Sequence, residues 1–449
     1  MADDTIFALA SGQGLAGIAV FRISGPGADG ALLALAGALP PPRKAELRAL
    51  RRPADGSLID QALVLWFPAP HSFTAEDVAE LHVHGGRAVS EALAAALGAL
   101  PGLRPAEAGE FTRRAFINGK LDLAEAEGLA DLVAAETEAQ RLQALEQFSG
   151  GLSRRFEGWR ETVTGLLAEV EATVDFADEE LPPGLLEGLK HKILCFKGEL
   201  TQYMGDRHLG ERLRDGFQIA ILGAPNVGKS SIINVLARRD VAIVSEVEGT
   251  TRDVIEVHLD LGGLPVIVAD TAGLRDTADS IEAEGVRRAA SRAETADLRL
   301  IVADAQTWPR LDPAVAHFVG PGALVVVNKY DLAPVSADVS KMERDVPIIA
   351  VSARTGAGID RMLGLIEAAL RAHMADLPAA PMTRERHRRA LADAIAALER
   401  ALALPDAGAA PELLAEELRL AARALGRIAG QVDVEDVLDR VFSRFCIGK

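Results

Sequence analysis

The sequence predicts a multidomain chain, mixed α/β at its N-terminus and all-α beyond, with a second α/β domain inserted into the helical part. Three observations carry this. The length of 449 residues corresponds to roughly three domains. Hydrophobic periodicity changes from strand alternation to three- and four-residue helical spacing at about Lys120. Helical patterning lies on both sides of a block of short apolar runs at 216–375, and neither helical part is long enough to bury its apolar stripe alone. The expected divisions are 1–118, 119–215, 216–375 and 376–449, the second and fourth together forming one helical domain.

Composition supports a globular chain, with 49% hydrophobic and 25% charged residues. Two cysteines, Cys195 and Cys446, exclude a disulfide framework and point to a reducing compartment. The start lacks a basic segment with an apolar core, and no run of about eighteen apolar residues follows. A soluble, cytoplasmic protein with no membrane partner is expected. The net charge of −17 argues against broad nucleic-acid binding and leaves room for a local basic patch.

In 1–118, strands are expected at 17–24, 45–51, 62–67 and 78–84, with helices at 28–39 and 87–100. By itself the region reads as a dimerisation or docking module. Arg22, Glu80, His82 and His84 punctuate its apolar strands. The two histidines alternate beside Gly85-Gly86 without a third ligand nearby, which favours a solvated face over a metal site.

From Lys120 the helical pattern runs through Leu121-Asp-Leu-Ala-Glu-Ala-Glu-Gly, resumes after Gly150-Gly151, and breaks at Pro182-Pro183. A further helix is expected at 185–204, with Cys195 packed in the core between Leu194 and Phe196. After the inserted domain helices return from Thr383. The densest basic run, 384–389, reads either as a contact for an RNA backbone or as a solvated first helical turn. The terminal Phe445-Cys446-Ile447-Gly448-Lys449 reads as a reactive thiol on a flexible arm or as an idle end.

The inserted domain carries four ordered signals. An apolar strand runs into Gly223-Ala-Pro-Asn-Val-Gly228-Lys229-Ser230, a P-loop whose N–H groups point at phosphate oxygens. Lys229 adds a cation, Ser230 a hydroxyl for Mg²⁺, and the following helix a positive end. The strand 264–270 ends in Asp270-Thr271-Ala272-Gly273, a carboxylate for Mg²⁺ through water and an N–H for a γ-phosphate. The strand 323–328 runs into Asn328-Lys329-Tyr330-Asp331, whose carboxylate can accept two hydrogen bonds from guanine that adenine does not offer. The strand 346–352 delivers Ser352-Ala353-Arg354 for the guanine oxygen. Together they specify a Ras-like P-loop GTPase domain. Two departures from that pattern concern hydrolysis. Leu274 stands where Ras-type enzymes carry a water-orienting glutamine, and Glu282 is a candidate for that role, although a solvated acidic turn fits its composition equally. Asn226, facing the loop 245–253, can offer a carbonyl to a monovalent cation beside the phosphates, where other enzymes use an arginine finger.

The whole chain resembles the MnmE (TrmE) family of tRNA modification GTPases, in the TrmE-Era-EngA-like group of P-loop GTPases. The resemblance rests on Asp4-Thr-Ile, Phe21-Arg22-Ile-Ser-Gly25, Ser72-Phe-Thr-Ala-Glu-Asp77, Glu80-Leu and His84-Gly-Gly86. It continues through Gly109-Glu-Phe-Thr112, Arg114-Ala-Phe, Asn118, Lys120-Leu-Asp-Leu-Ala-Glu-Ala-Glu127, the GTPase signals and the terminal Cys446-Ile-Gly-Lys449. It implies an N-terminal domain that dimerises the protein and binds a tetrahydrofolate derivative, 5-formyl or 5,10-methylene, through Arg22, Glu80, Lys120 and Lys449. It implies the FAD-containing partner MnmG, in a heterotetramer-type complex that adds an aminomethyl-type group, carboxymethylaminomethyl or aminomethyl, to C5 of the wobble uridine of certain tRNAs. It further implies nucleotide-dependent dimerisation of the GTPase domains and K⁺ held by Asn226, Ser245, Val247 and Thr250. Mg²⁺ falls to Ser230 and Thr251, Glu282 matches the water-orienting glutamate, and Cys446 is assigned to the tRNA chemistry. The implied nucleotide set is Asn226, Val227, Gly228, Lys229, Ser230, Ser231, Ser245, Thr250, Thr251, Asp270, Thr271, Ala272, Gly273, Asn328, Lys329, Asp331, Ser352, Ala353 and Arg354. Tyr330 and Arg354 are minor departures from the family pattern. A ribosome-assembly GTPase switch and an aminomethyltransferase-type folate enzyme with a regulatory GTPase are the rival readings. The first predicts an appended RNA-binding domain, the second activity without a flavoprotein.

Overall fold

The structure is a computed structural model. It describes residues 4–12, 14–175, 185–206, 208–239, 241–243, 256–270, 293–333, 346–375, 377–404 and 411–430, with 438, 441, 442, 445 and 448 near the C-terminus. Two compact units result. One comprises Met1–Ala130, Gln147–Thr162 and Ala422–Lys449, the other Asp131–Glu146 and Val163–Ala421.

In the first unit six described strands form one sheet: β1 (Thr5–Leu9), β2 (Ala16–Ser24), β3 (Glu46–Arg51), β4 (Leu58–Phe67), β5 (Val78–Gly85) and β6 (Leu103–Pro105), in the order β3-β4-β5-β2-β1-β6. Alternation puts Phe21, Ile23, Leu50, Val64, Trp66, Leu81 and Val83 on one face, covered by helices Ala28–Ala36 and Arg87–Gly98. β1 and β6 add to the four strands that alternation predicts. β1 has four of its five residues buried, so it carries no alternating signal, and β6 has three residues.

Behind the sheet, Phe111 on the helix Glu110–Ile117 packs with Ile6, Ala8 and Phe73. The same helix holds Arg114, a buried cation bonded to Asp4, Glu76 and Glu110 at 2.8, 3.2 and 3.0 Å. Burial alone would lower its pKa, but the carboxylates raise it. Ser24 Oγ lies 2.7 Å from Thr74 Oγ1 and donates to Glu76 at 2.8 Å, so the loop 72–77 is fastened to β2 and to this helix. The loop 72–77 and this helix also bring Phe73 and Phe111 beside Arg22. Phe442 and Phe445 are buried against Ala126 with Phe116 beside them. Gly448, at φ +100°, sits where a Cβ would lie 2.9 Å from the Leu9 carbonyl carbon, a close approach that requires glycine. At these positions the C-terminal segment is docked and does not form a free arm.

The second unit has seven described strands: β7 (Phe217–Leu222), β8 (Ala242–Ile243), β9 (Glu256–Leu261), β10 (Leu264–Asp270), β11 (Leu298–Asp304), β12 (Ala323–Asn328) and β13 (Ile348–Ala350). Their order is β13-β12-β11-β7-β10-β9-β8, parallel from β13 to β10 and antiparallel at β9 and β8. All six residues of β12 are buried, as a strand covered on both faces demands. Helices Leu185–Met204 and Glu385–Ala403, on either side of this domain in sequence, pack together. Lys197 reaches Glu399 at 3.1 Å. This pairing makes the nucleotide-type domain an insertion.

Two expectations are corrected here. Cys195 is exposed. The helix buries Leu189, Ile193, Phe196, Leu200 and Tyr203, a stripe at three- and four-residue spacing that leaves Leu194 and Cys195 on the outer side. The basic run 384–389 is not a wholly solvated turn. Arg388 is buried on Asp206 and Glu211, His387 is fully buried, and Arg384 reaches Asp131 at 2.6 Å. The break at Pro182-Pro183 lies outside the described residues. Among the described residues no helix is long and apolar enough to cross a membrane.

Candidate functional site

The nucleotide-type site forms at the C-terminal edge of the parallel strands. β7 ends at Leu222, the loop turns through Asn226 at φ 64° and Gly228 at φ 98°, and the helix Lys229–Ala237 begins at once. A side chain at Gly228 would run into the Asn328 amide. Ser230 and Ser231 occupy the first turn, where the helix presents its positive end. The Lys229 ammonium folds back over the loop, donating to the Gly223 and Ala224 carbonyls at 2.9 and 3.0 Å.

Asn328, at the end of β12, is 2% exposed. Its Nδ2 donates to the Val227 carbonyl at 2.9 Å and its Oδ1 accepts from the Ala353 N–H at 3.1 Å, tying together the P-loop and the loop 352–354. Ser352 Oγ donates to Asp331 Oδ1 at 2.7 Å, and the exposed Arg354 stands 3.6 Å from Asp331 Oδ2. The carboxylate is thus held in one orientation. Asp270 ends β10 and pairs with Ile221 of β7, so its backbone lies beside the entry to the P-loop. Ser245, Val247, Thr250, Thr251, Thr271, Ala272, Gly273, Leu274 and Glu282 lie outside the described residues.

Sequence reading missed Asp304. It ends β11 as Asp270 ends β10, an apolar strand closing on a carboxylate, and that was the signal available. Lys329, at φ 64°, donates from Nζ to Asp304 Oδ2 and to the Asn226 carbonyl, both at 2.7 Å. Partial burial would raise the Asp304 pKa, but the Lys329 ammonium and the Gln306 N–H outweigh it and hold the carboxyl below its ordinary range. A carboxyl with a lowered folded-state pKa stabilises above its unfolded value and loses that contribution as pH falls through the folded one. The anchor should be complete at neutral pH and fade below about pH 4. Asp304→Asn should weaken GTP binding about fivefold at pH 7, the scale of one partly screened charged hydrogen bond. Titration calorimetry checks this, and wild-type affinity would separate Asp304 from the P-loop.

The first unit holds a cavity of about 300 Å³ whose walls include Arg43, Phe67, His71, Phe73, Glu80 and Lys120. Glu80 on β5 sits opposite Arg22 on β2, and the two form an ion pair at 3.0 Å. The Arg22 guanidinium lies 5.2 Å from the Phe73 ring centre and 5.8 Å from that of Phe111. Three of the four residues expected to contact folate are therefore gathered here. Lys449, the fourth, and Cys446 lie outside the described residues. His82 stands 3.4 Å from Glu80 Oε2, while the exposed His84 pairs with Asp60 at 2.9 Å. Among the described residues no group of three or more His, Cys, Asp or Glu could hold a metal ion.

A family model described as the MnmE helical domain matches residues 123–446. One described as the GTP-binding protein TrmE N-terminus matches residues 5–120. The chain is 56% identical over 447 residues to a tRNA modification GTPase MnmE of Paramagnetospirillum magneticum, covering 99% of this chain and 100% of that protein. It is 54% identical over 461 residues to that of Rhodospirillum rubrum, covering 100% of each. Among solved structures, the FeoB G-domain from Methanococcus jannaschii aligns at 31% identity over 34% of this chain and 98% of that one, with a TM-score of 0.27. With likeness to whole relatives over essentially its full length, a TrmE-type N-terminal domain and a P-loop domain inserted in helices, the chain belongs to the MnmE family of tRNA modification GTPases.

Proposed function

We propose that GTP hydrolysis in this protein serves addition of a carboxymethylaminomethyl or aminomethyl group to C5 of the wobble uridine of certain tRNAs, with the FAD-containing MnmG as partner and a tetrahydrofolate derivative as cofactor. The observation that carries the folate part is that Glu80 and Lys120 line one cavity and Arg22 pairs with Glu80. The residues fit the group. A carboxylate fixed by Arg22 can accept the paired N–H donors of an amino-pyrimidinone ring, Phe73 offers a flat apolar wall, and Lys120 offers a cation to an anionic tail. Folate supplies the one-carbon unit when bound. Gly448 against Leu9 supports a C-terminal approach to the same sheet, because Ala8, next to Leu9, pairs with Arg22.

In the nucleotide domain Ser230 and Thr251 would hold Mg²⁺, and Asn226, Ser245, Val247 and Thr250 would hold K⁺. The Asn226 main-chain carbonyl accepts from the Lys329 ammonium, whose charge would repel a second cation there, so the side-chain amide oxygen is the one assigned to K⁺. K⁺ supplies the positive charge that an arginine finger supplies elsewhere, and Glu282 orients the attacking water. Homodimerisation through the N-terminal domain is supported by Leu47 and Leu63, exposed and directly opposite each other on β3 and β4. A second, nucleotide-dependent pairing joins the GTPase domains, and the working compartment is the cytoplasm.

Mass spectrometry of wobble uridines from cells with and without the gene tests the reading, together with turnover of the purified protein in KCl and in NaCl. Loss of the C5 group and K⁺-dependent turnover are expected. Intact modification in the deletion strain would leave a ribosome-assembly-type switch, and modification without MnmG would favour an aminomethyltransferase-type enzyme.

A further inference from the structure

Positive φ in a residue other than glycine persists where the surroundings over-determine it, and such residues cluster at ligand sites. Asn226 and Lys329 are two of them and lie in the nucleotide site. Arg43, at φ 61°, is a third, and it lies at the cavity of the N-terminal unit. It follows Pro40-Pro41-Pro42, a stiff lead-in. Its N–H donates to the Trp66 carbonyl at 2.9 Å, its Nη2 donates to the His71 carbonyl, and its guanidinium stands 5.6 Å from the Phe67 ring centre. Backbone, carbonyl and ring thus fix a cation at the cavity wall.

The charge around that cation is unusual for a chain of net charge −17. Glu80 is the one carboxylate among the described residues that line the cavity, and Arg22 already pairs with it, whereas Arg43 and Lys120 both contribute positive charge. About 300 Å³ is at the small end for a ligand pocket and encloses a bicyclic head with little to spare. Whatever extends beyond the head emerges at the mouth, where Arg43 and Lys120 are exposed.

We propose that Arg43 receives the carboxylate at the far end of the ligand and so selects glutamylated over unglutamylated folate. This rests on the reading of the cavity as the folate site. One guanidinium nitrogen is anchored on His71, and further N–H donors remain for a carboxylate, which their planar fork matches better than an ammonium does.

The test is calorimetric titration of the full chain with 5-formyltetrahydrofolate and with 5-formyltetrahydropteroic acid amide, which lacks the glutamyl group and ends in an uncharged carboxamide. Arg43→Asn removes the charge with a residue that tolerates the left-handed backbone. Affinity for the glutamylated probe should fall about tenfold, affinity for the pteroic acid amide should stay at the wild-type value, and Arg43→Lys should recover part of the loss. Unchanged affinity for the glutamylated probe, or equal losses on both probes, would overturn the assignment. If the wild-type chain binds neither probe, the folate reading itself falls, and the inference with it.

Discussion

Replacing Asp331 with asparagine is expected to turn the protein from a GTP hydrolase into a xanthosine triphosphate hydrolase. Guanine presents two donors on one edge, N1–H and the exocyclic amine, and a carboxylate accepts both. Each such charged hydrogen bond contributes about 1.5–3 kcal/mol. Asparagine can accept one and must face the amine with its own N–H, whereas xanthine presents an acceptor at that place. The surroundings survive the change, because Ser352 Oγ, now 2.7 Å from Asp331 Oδ1, can donate equally to an amide oxygen, and Asn328 keeps its bonds to Val227 and Ala353. The side chain is 17% exposed, so part of the effect is lost to solvent. A relative shift of roughly 10²-fold or more is left from two bonds. Competition binding of the two triphosphates reads it directly. Equal relative affinities in variant and wild type would remove Asp331 as the base reader and leave guanine recognition to the loop 352–354.

The nucleotide domain was legible because each functional loop follows a strand buried on both faces, and such strands appear in sequence as unbroken apolar runs. Phe217–Leu222, Leu264–Asp270 and Ala323–Asn328 have the bounds that their apolar runs suggest. Asp304 escaped attention because its role depends on Lys329 crossing from the next strand end, a tertiary contact 25 residues away. Cys195 was misplaced for a different reason. Three apolar neighbours in a row mark no face, and only the stripe from Leu189 to Tyr203 decides which side of a helix is buried. Arg384 and Arg388 read as surface charge because their partners Asp131, Asp206 and Glu211 are remote in sequence. Arg43 gave no sequence signal at all. Its positive φ and its hold on His71 exist only once β4 and the loop after it are in place.

On the function proposed above, Cys446→Ser is expected to abolish tRNA modification with MnmG while leaving GTP affinity and GTP turnover in KCl within about twofold of wild type. Cys446 lies outside the described residues, but its neighbours bracket it. Phe445 is buried in the cluster with Phe442 and Ala126, and Gly448 lies against Leu9 and Ala10. Gly448 thus lies beside the strand whose Ala8 pairs with Arg22. The described contacts of the tail are thus with β1, with Gly109 and with Ala126 of the helical part, all in the first unit. A thiol of ordinary pKa, about 8.5, yields an appreciable thiolate near neutral pH, and a neighbouring lysine such as Lys449 would increase it. A serine hydroxyl yields almost none, so the substitution removes a nucleophile and keeps the shape. Modification is read by mass spectrometry of tRNA treated with the variant and MnmG, and turnover by phosphate release in KCl. Full modification would make the cysteine an idle residue of the tail, and slowed GTP hydrolysis would mean that the tail acts on the nucleotide domain.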